Sequence, residues 1–307
     1  MNTQPVATIP TTTTTTNWTP SELNQPTLTR QERAAQMAET VDAACVRLAQ
    51  QLAAGHTEAY LAFLAFHARF HRYSAANALL ILSQCPEATR VAGLSTWNRL
   101  GYRVRAGQKA LWIWAPVLRK GVDAATGEEG ERLVGFRPAP VFDASQLANL
   151  DERPLPSLLA PLADDVEDLY HQVRARIEAE RIVVEERPLP MGVQGVSLGG
   201  TIFIRRGLDS RNRLAVLLHE LAHEVAHRGE AQRAKPVALR ELEAESTAFV
   251  VGAALGLDIL HSRDYLLGHG LDAAALRASL TTIQSLTRRV LTIVGEVETT
   301  SDVAQAA

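Results

Sequence analysis

The stretch Leu214-Ala-Val-Leu-Leu-His219-Glu220-Leu-Ala-His223-Glu-Val225 decides the reading of this chain. It is a mainly apolar run and reads as a buried helix. Four helical residues advance about 400°, so His219 and His223 share one face, roughly 6 Å apart along the axis. Two imidazoles so placed can hold one zinc ion. Glu220, one step round from His219, reaches a metal-activated water and can act as general base. The same five residues also fit two core histidines beside a salt-bridged glutamate. The apolar helix around them, and a carboxylate-rich helix that follows, favour the metal.

A catalytic zinc takes three protein ligands and keeps one position open. His227 continues the i, i+4 ladder, but it stands about 12 Å from His219 along the helix. Zinc–nitrogen bonds of about 2 Å cannot span that. Position 226 is Ala, so the HExxHxxGxxH arrangement, in which a glycine breaks the helix, is absent. The next helix carries Glu241, Glu243 and Glu245. Glu241 and Glu245 are four apart and share a face, whereas Glu243 points about 200° away from Glu241. The expectation is Glu241 as ligand, with Glu245 accepting a hydrogen bond from the second nitrogen of a ligand histidine. The reverse assignment stays open. The chemistry expected is metal-assisted hydrolysis, a peptide bond being the usual substrate, with Glu220 taking the proton and returning it to the leaving amine.

At 307 residues the chain is long enough for about two domains with real cores. With 46% hydrophobic and 21% charged residues it is ordinary for a globular protein, and its net charge of −3 does not advertise nucleic acid. Cys45 and Cys85 alone give neither a disulfide framework nor a thiolate metal site. There is no signal-like start and no apolar run near 18 residues. A cytoplasmic protein without membrane partners is expected.

In order, residues 1–28 form a Thr/Pro-rich tail expected to be disordered. Helical spacing predicts helices over 30–54, 57–71, 74–83 and 95–100. A β pattern follows: Tyr102 to Arg105, a strand over 110–117, a hairpin loop over 121–130, and a strand over 131–142 interrupted by Pro138 and Pro140. Proline-rich residues 146–160 read as a linker between a domain at 29–145 and one at 161–295. The second domain reads as a helix over 162–181, a strand at 182–185, a β-hairpin over 192–205, the His219 helix capped by Asp209 or Ser210, a helix opened by Pro236, and helix over 262–294. Residues 296–307 read as a second tail. The fold class is α+β: N-terminal helices with a small antiparallel sheet, then a domain with a short sheet and the HExxH helix.

Between His67 and Lys120 lie nine Lys or Arg (Arg69, Arg72, Arg90, Arg99, Arg103, Arg105, Lys109, Arg119 and Lys120) against the single acid Glu87. Trp97, Trp112 and Trp114 share the stretch with Phe70, Tyr73 and Tyr102. Cations that neutralise phosphates, interleaved with rings on which bases stack, suit single-stranded nucleic acid. The rings as core and the charges as a solvated face is the equal alternative. Trp112 and Trp114 share a strand face by the period of two.

The two halves each resemble a known family. His219-Glu220-Leu-Ala-His223 with Glu241-Leu-Glu-Ala-Glu245-Ser-Thr-Ala248 looks like the gluzincin-type peptidases, and within them the ImmA/IrrE family. There the ligand glutamate opens a motif with a polar residue four positions on, which carries over to Glu241 and Glu245. Tyr265 falls where related proteins also carry a tyrosine, although a packed helical tyrosine fits it too. Upstream, Phe70-His-Arg72-Tyr73-Ser-Ala-Ala-Asn77, Gln84-Cys-Pro86, Val91-Ala-Gly93, Trp97, Leu100-Gly101, Val104-Arg105-Ala-Gly107-Gln-Lys109 and Ile113-Trp114-Ala-Pro116, on to Val141-Phe142-Asp143, resembles the N-terminal domain of ArdC-type antirestriction proteins. That resemblance implies a single-stranded-DNA-binding domain followed by a zincin. The candidate nucleic-acid contacts in this stretch are Arg72, Tyr73, Asn77, Trp97, Arg99, Arg103, Arg105, Lys109, Trp112 and Trp114. The function expected is single-stranded DNA binding joined to a zinc metallopeptidase-like site, with an antirestriction or DNA-protection role. Alternatives are a regulatory peptidase that cleaves a protein such as a repressor without touching nucleic acid, and a binding module whose zinc is structural.

Overall fold

A computed structural model describes residues 28–122, 129–155, 165–226, 234–257 and 271–295. Three helices come first: α1 (Arg30–Ala53), α2 (Glu58–Arg69) and α3 (Ala75–Gln84). Local chemistry sets their starts. Thr29 and Glu32 form a capping box on α1, and the Ser74 side chain accepts from the Asn77 amide at the head of α3. Strand β1 (Val91–Ala92) and helix α4 (Leu94–Arg99) lead to the long strands β2 (Leu111–Val122) and β3 (Glu129–Asp143). These make an antiparallel sheet of order β1-β3-β2, with a register shift between Val117 and Leu118.

Two sequence expectations change here. Tyr102 to Arg105 forms no strand. It makes one bridge, Val104 to Leu147, and its backbone bonds instead to Gln146 and Ala148. Strand β3, by contrast, runs straight through Pro138 and Pro140. Their partners across the ladder are Trp114 and Trp112, whose amides point away from β3 toward α3. Opposed residues in such a pair both turn their N–H groups outward, so neither proline removes a β2–β3 hydrogen bond.

Helix α5 (Val166–Ala179) opens the second half. Strands β4 (Val183–Arg187), β5 (Gly195–Ser197) and β6 (Thr201–Arg205) form a sheet of order β4-β6-β5, in which β4 runs parallel and β5 antiparallel to β6. Helix α6 (Ser210–Ala226) carries the HExxH residues. Asp209 is its cap, accepting from the Asn212 amide at 2.9 Å, whereas the Ser210 hydroxyl bonds Glu167. Helices α7 (Val237–Ala254) and α8 (Ala273–Val294) complete the described chain. The expected tails, and the candidates His227 and Tyr265, lie outside the described residues. Among those residues no helix is long and apolar enough to cross a membrane.

The cores do not divide at the expected linker. One cluster joins α1, α2, α3 and the first sheet to Leu242 and Val250 of α7 and Leu276, Leu280 and Ile283 of α8. A second joins α5, β4, β6 and α6 to Ala248 and Val251 of α7 and Val290, Leu291 and Val294 of α8. Helices α7 and α8 thus bury one face on each half. Where α2 meets α7, the Tyr60 hydroxyl lies 2.8 Å from the Ser246 hydroxyl in a fully buried pair. Residues 146–155 also pack back: Leu147 is buried with Trp97 and Tyr102.

Candidate functional site

Helix α6 presents His219 and His223 toward α7, which returns Glu241 and Glu245. The two Nε2 atoms lie 3.0 Å apart, and Glu241 Oε2 is 3.5 Å from the first and 3.4 Å from the second. Donors at tetrahedral corners, on bonds of about 2.0–2.1 Å, stand about 3.3 Å from one another. This triangle therefore fits a single divalent ion. Among the described residues, these three are the group of His, Cys, Asp or Glu that could hold one.

Glu245 lies on the other nitrogen of His219. Its Oε2 lies 2.8 Å from His219 Nδ1, and its side chain is 9% exposed against 38% for Glu241. A carboxylate on Nδ1 keeps the hydrogen there and turns the Nε2 lone pair toward the triangle. Burial alone would favour neutral His219, but with no ion in the triangle the hydrogen bonds to Glu241 and Glu245 outweigh it and push the pKa up to about 10, so an ion that binds must displace the Nε2 proton. The same two histidines hold the Glu241 carboxyl well below the usual range.

Glu220 is buried beside the triangle. Burial raises its carboxyl; the nearby histidines and the Ser197 backbone amide pull it down, while Glu241 pushes it further up. The net rise brings it nearer neutrality, which suits a group that must both take and return a proton.

Glu243 faces elsewhere, as its spacing predicts: it is 2% exposed and both its oxygens accept from Lys235 Nζ at 2.9 Å. Two residues beside the triangle were not singled out from sequence. Glu224 is buried and accepts from the Ser197 hydroxyl at 2.6 Å and from the amides of Gly199 and Gly200. Gly195 lies directly against Glu220. A charge next to His223 in an apolar helix, and a glycine inside a short strand, were the available signals.

In the N-terminal half the ten candidate contact residues separate by burial. Trp97 is fully buried and donates from Nε1 to Phe142 O at 2.9 Å. Tyr73 is buried and donates to Val91 O. Asn77, also buried, makes a two-way pair with the Trp114 backbone, and Gln84 does the same for Trp112. The amides of α3 thus cover the free edge of β2 in place of another strand. Of the ten candidates, Trp97, Tyr73 and Asn77 thus hold the fold together and present no stacking surface.

Trp112 and Trp114 are half-buried against the core, and the Arg33 guanidinium sits 3.8 Å from the centre of the Trp112 ring. Arg105 is exposed, but its guanidinium donates to Leu147 O and Ser145 O. Arg72 is half-buried, with its carbonyl taken by Arg288. Arg99, Arg103 and Lys109 are exposed, as are Arg119, Lys120, Arg132 and Arg137 along the β2–β3 ribbon.

Residues 28–142 match the family described as the N-terminal domain of anti-restriction factor ArdC. An uncharacterized protein of Bacillus anthracis is 26% identical over a region covering 63% of this chain; the matched region spans 40% of that protein's length. Two crystal structures of the antirestriction ArdC protein from the R388 plasmid are similar in shape. The metal-free form has a TM-score of 0.48 at 19% identity, covering 72% of this chain and 85% of that one. The Mn(II)-bound form has a TM-score of 0.47 at 17% identity, covering 74% and 86%.

Proposed function

We propose that this chain, whose residues 28–142 match the family described as the N-terminal domain of anti-restriction factor ArdC, is a single-stranded-DNA-binding protein of the antirestriction, DNA-protecting kind, whose second half is a zincin-like peptidase centre. The observation that carries the hydrolytic part is the triangle of His219 Nε2, His223 Nε2 and Glu241 Oε2, with edges of 3.0, 3.5 and 3.4 Å. Two imidazoles and one carboxylate suit zinc among divalent ions. When bound, the ion supplies Lewis acidity that polarises a carbonyl and eases ionisation of water. The chain's own residues do the rest. Glu245 fixes the ring and tautomer of His219. Glu220, raised by burial, takes a proton from water and passes it to the leaving amine. Strand β5 lies at the edge of its sheet beside α6, where an extended peptide can add as a further strand.

The DNA part rests on the family relation and on the exposed cations Arg99, Arg103, Lys109, Arg119 and Lys120. They neutralise phosphates, with Trp112 and Trp114 as the half-exposed rings nearest to them in sequence.

Metal analysis of purified protein tests the centre. Wild type should carry one zinc, and Glu241→Ala should lose it; full zinc in Glu241→Ala removes Glu241 from the ligand set. A titration of manganese(II) on the same protein settles whether zinc or manganese is preferred. Fluorescence anisotropy with a labelled single-stranded oligonucleotide tests the DNA part: affinity must be measurable at low salt and fall as salt rises.

A further inference from the structure

Glu220 is seated by a hairpin from another part of the chain. Gly195, in β5, has an ordinary backbone conformation, so no turn requires glycine there. Space does. A Cβ at Gly195 would meet Val216 Cγ1 at 2.6 Å and Glu220 Cγ and Oε1 at 2.7 Å, distances that real Cβ atoms essentially never show. Any larger residue must push the Glu220 carboxylate or the α6 face away. The hairpin cannot drift from α6, because Glu224 grips its turn through the Ser197 hydroxyl and the amides of Gly199 and Gly200. Glu224 is only 2% exposed, so water does not compete for those bonds.

We propose that Gly195 and Glu224 are positioning residues for Glu220: Gly195 admits its carboxylate against β5, and Glu224 latches the β5–β6 hairpin to the helix that carries it. The metal ligands and the base then have separate supports. Glu245 orients His219 from α7, while the hairpin sets Glu220 from the opposite sheet. The catalytic side of this rests on the hydrolytic reading above. Glycine is needed at one position of an edge strand because the general base lies directly beneath it.

The test combines thermal unfolding, zinc content and cleavage of fluorescent casein by the zinc-loaded protein. Gly195→Ala should lower Tm by about 4–8 °C. In a Glu220→Ala background at least about half of that loss should vanish, because the overlapping side chain is gone. Zinc content should stay at the wild-type level. Casein cleavage by Gly195→Ala should fall about 100-fold in kcat with KM little changed, the signature of a displaced base. Glu224→Ala should behave alike, and Glu224→Gln, which keeps an acceptor for the turn, should recover part of the rate. If Gly195→Ala does not fold, rescue of folding by Glu220→Ala supports the contact equally.

Three results overturn the proposal. They are equal Tm losses in both Glu220 backgrounds, a wild-type rate in Gly195→Ala, or a rate restored by adding Val216→Ala, which would make Gly195 a packing residue only. Wild-type protein that holds zinc but cleaves no casein counts against the hydrolytic reading; the Tm comparison then decides alone whether the hairpin seats Glu220.

Discussion

Removing the Glu245 carboxylate separates the two acids of α7 by role. In Glu245→Ala the three donors of the triangle remain, but His219 Nδ1 loses the partner it holds at 2.8 Å. That partner is 9% exposed, so water replaces it poorly; an exposed pair of this kind would contribute under about 1 kcal/mol. Carboxylates that orient a ligand histidine are worth about 10–100-fold in metal affinity, which is about 1.4–2.7 kcal/mol at 1.36 kcal/mol per tenfold. The assay is a competition titration of zinc against a chelating dye, at fixed pH and ionic strength, for wild type, Glu245→Ala and Glu241→Ala. Glu245→Ala should fall inside that window, and Glu241→Ala, which deletes a donor, should fall well beyond it. Affinity unchanged in Glu245→Ala would refute the orienting role. A larger loss in Glu245→Ala than in Glu241→Ala would exchange the two assignments.

Burial lowers the His67 pKa to about 3, so the folded protein keeps it neutral, while the unfolded chain takes up a proton below about pH 6.5. Its contribution to stability is therefore constant above that pH and lost as pH falls, by about 2 kcal/mol at pH 5. Tm measured at pH 7 and pH 5 should drop less in His67→Phe than in wild type, and an equal drop would remove His67 as the source. Tyr60→Phe leaves the buried Ser246 hydroxyl without its 2.8 Å partner; a cost of about 1–3 kcal/mol should lower Tm by about 2–8 °C, and an unchanged Tm in a calorimetric scan would show that this bond between the halves contributes nothing. Arg103→Ala and Lys109→Ala should each flatten the salt dependence of oligonucleotide binding by about one counterion without changing Tm. Asn77→Ala, which uncovers the β2 edge at Trp114, should instead lower Tm, and a normal Tm with lost DNA affinity would return Asn77 to the contact set.

Much of the helical half was legible because helix chemistry is local. The shared face of His219 and His223 follows from 3.6 residues per turn, and the same arithmetic pairs Glu241 with Glu245 and turns Glu243 away. The cap of α6 depends on a neighbour three residues off, so it too could be narrowed to two candidates, of which Asp209 is the one. The strand of β3 was harder. Whether a proline interrupts a ladder depends on which way its missing N–H would point, and only the register against Trp112 and Trp114 shows that.

The basic and aromatic stretch was legible as composition and not as surface. Trp97, Tyr73 and Asn77 stand among the cations in sequence, yet each finds its partner 18 to 45 residues away and turns inward. Sequence by itself placed His219 and His223 on one helix face, paired the acids of the next helix, indicated the α+β class and carried the likeness of residues 28–142 to the ArdC N-terminal domain, because each is written in residues a few positions apart or in an ordered motif. Tertiary structure alone decided which acid faces Nε2 and which Nδ1, since that depends on how α7 crosses α6. It also decided that α7 and α8 bury faces on both halves, that Gly195 lies against Glu220, and that Glu224 binds the turn after β5. Those contacts join segments far apart in the chain, and no periodicity records where a folded chain brings them together.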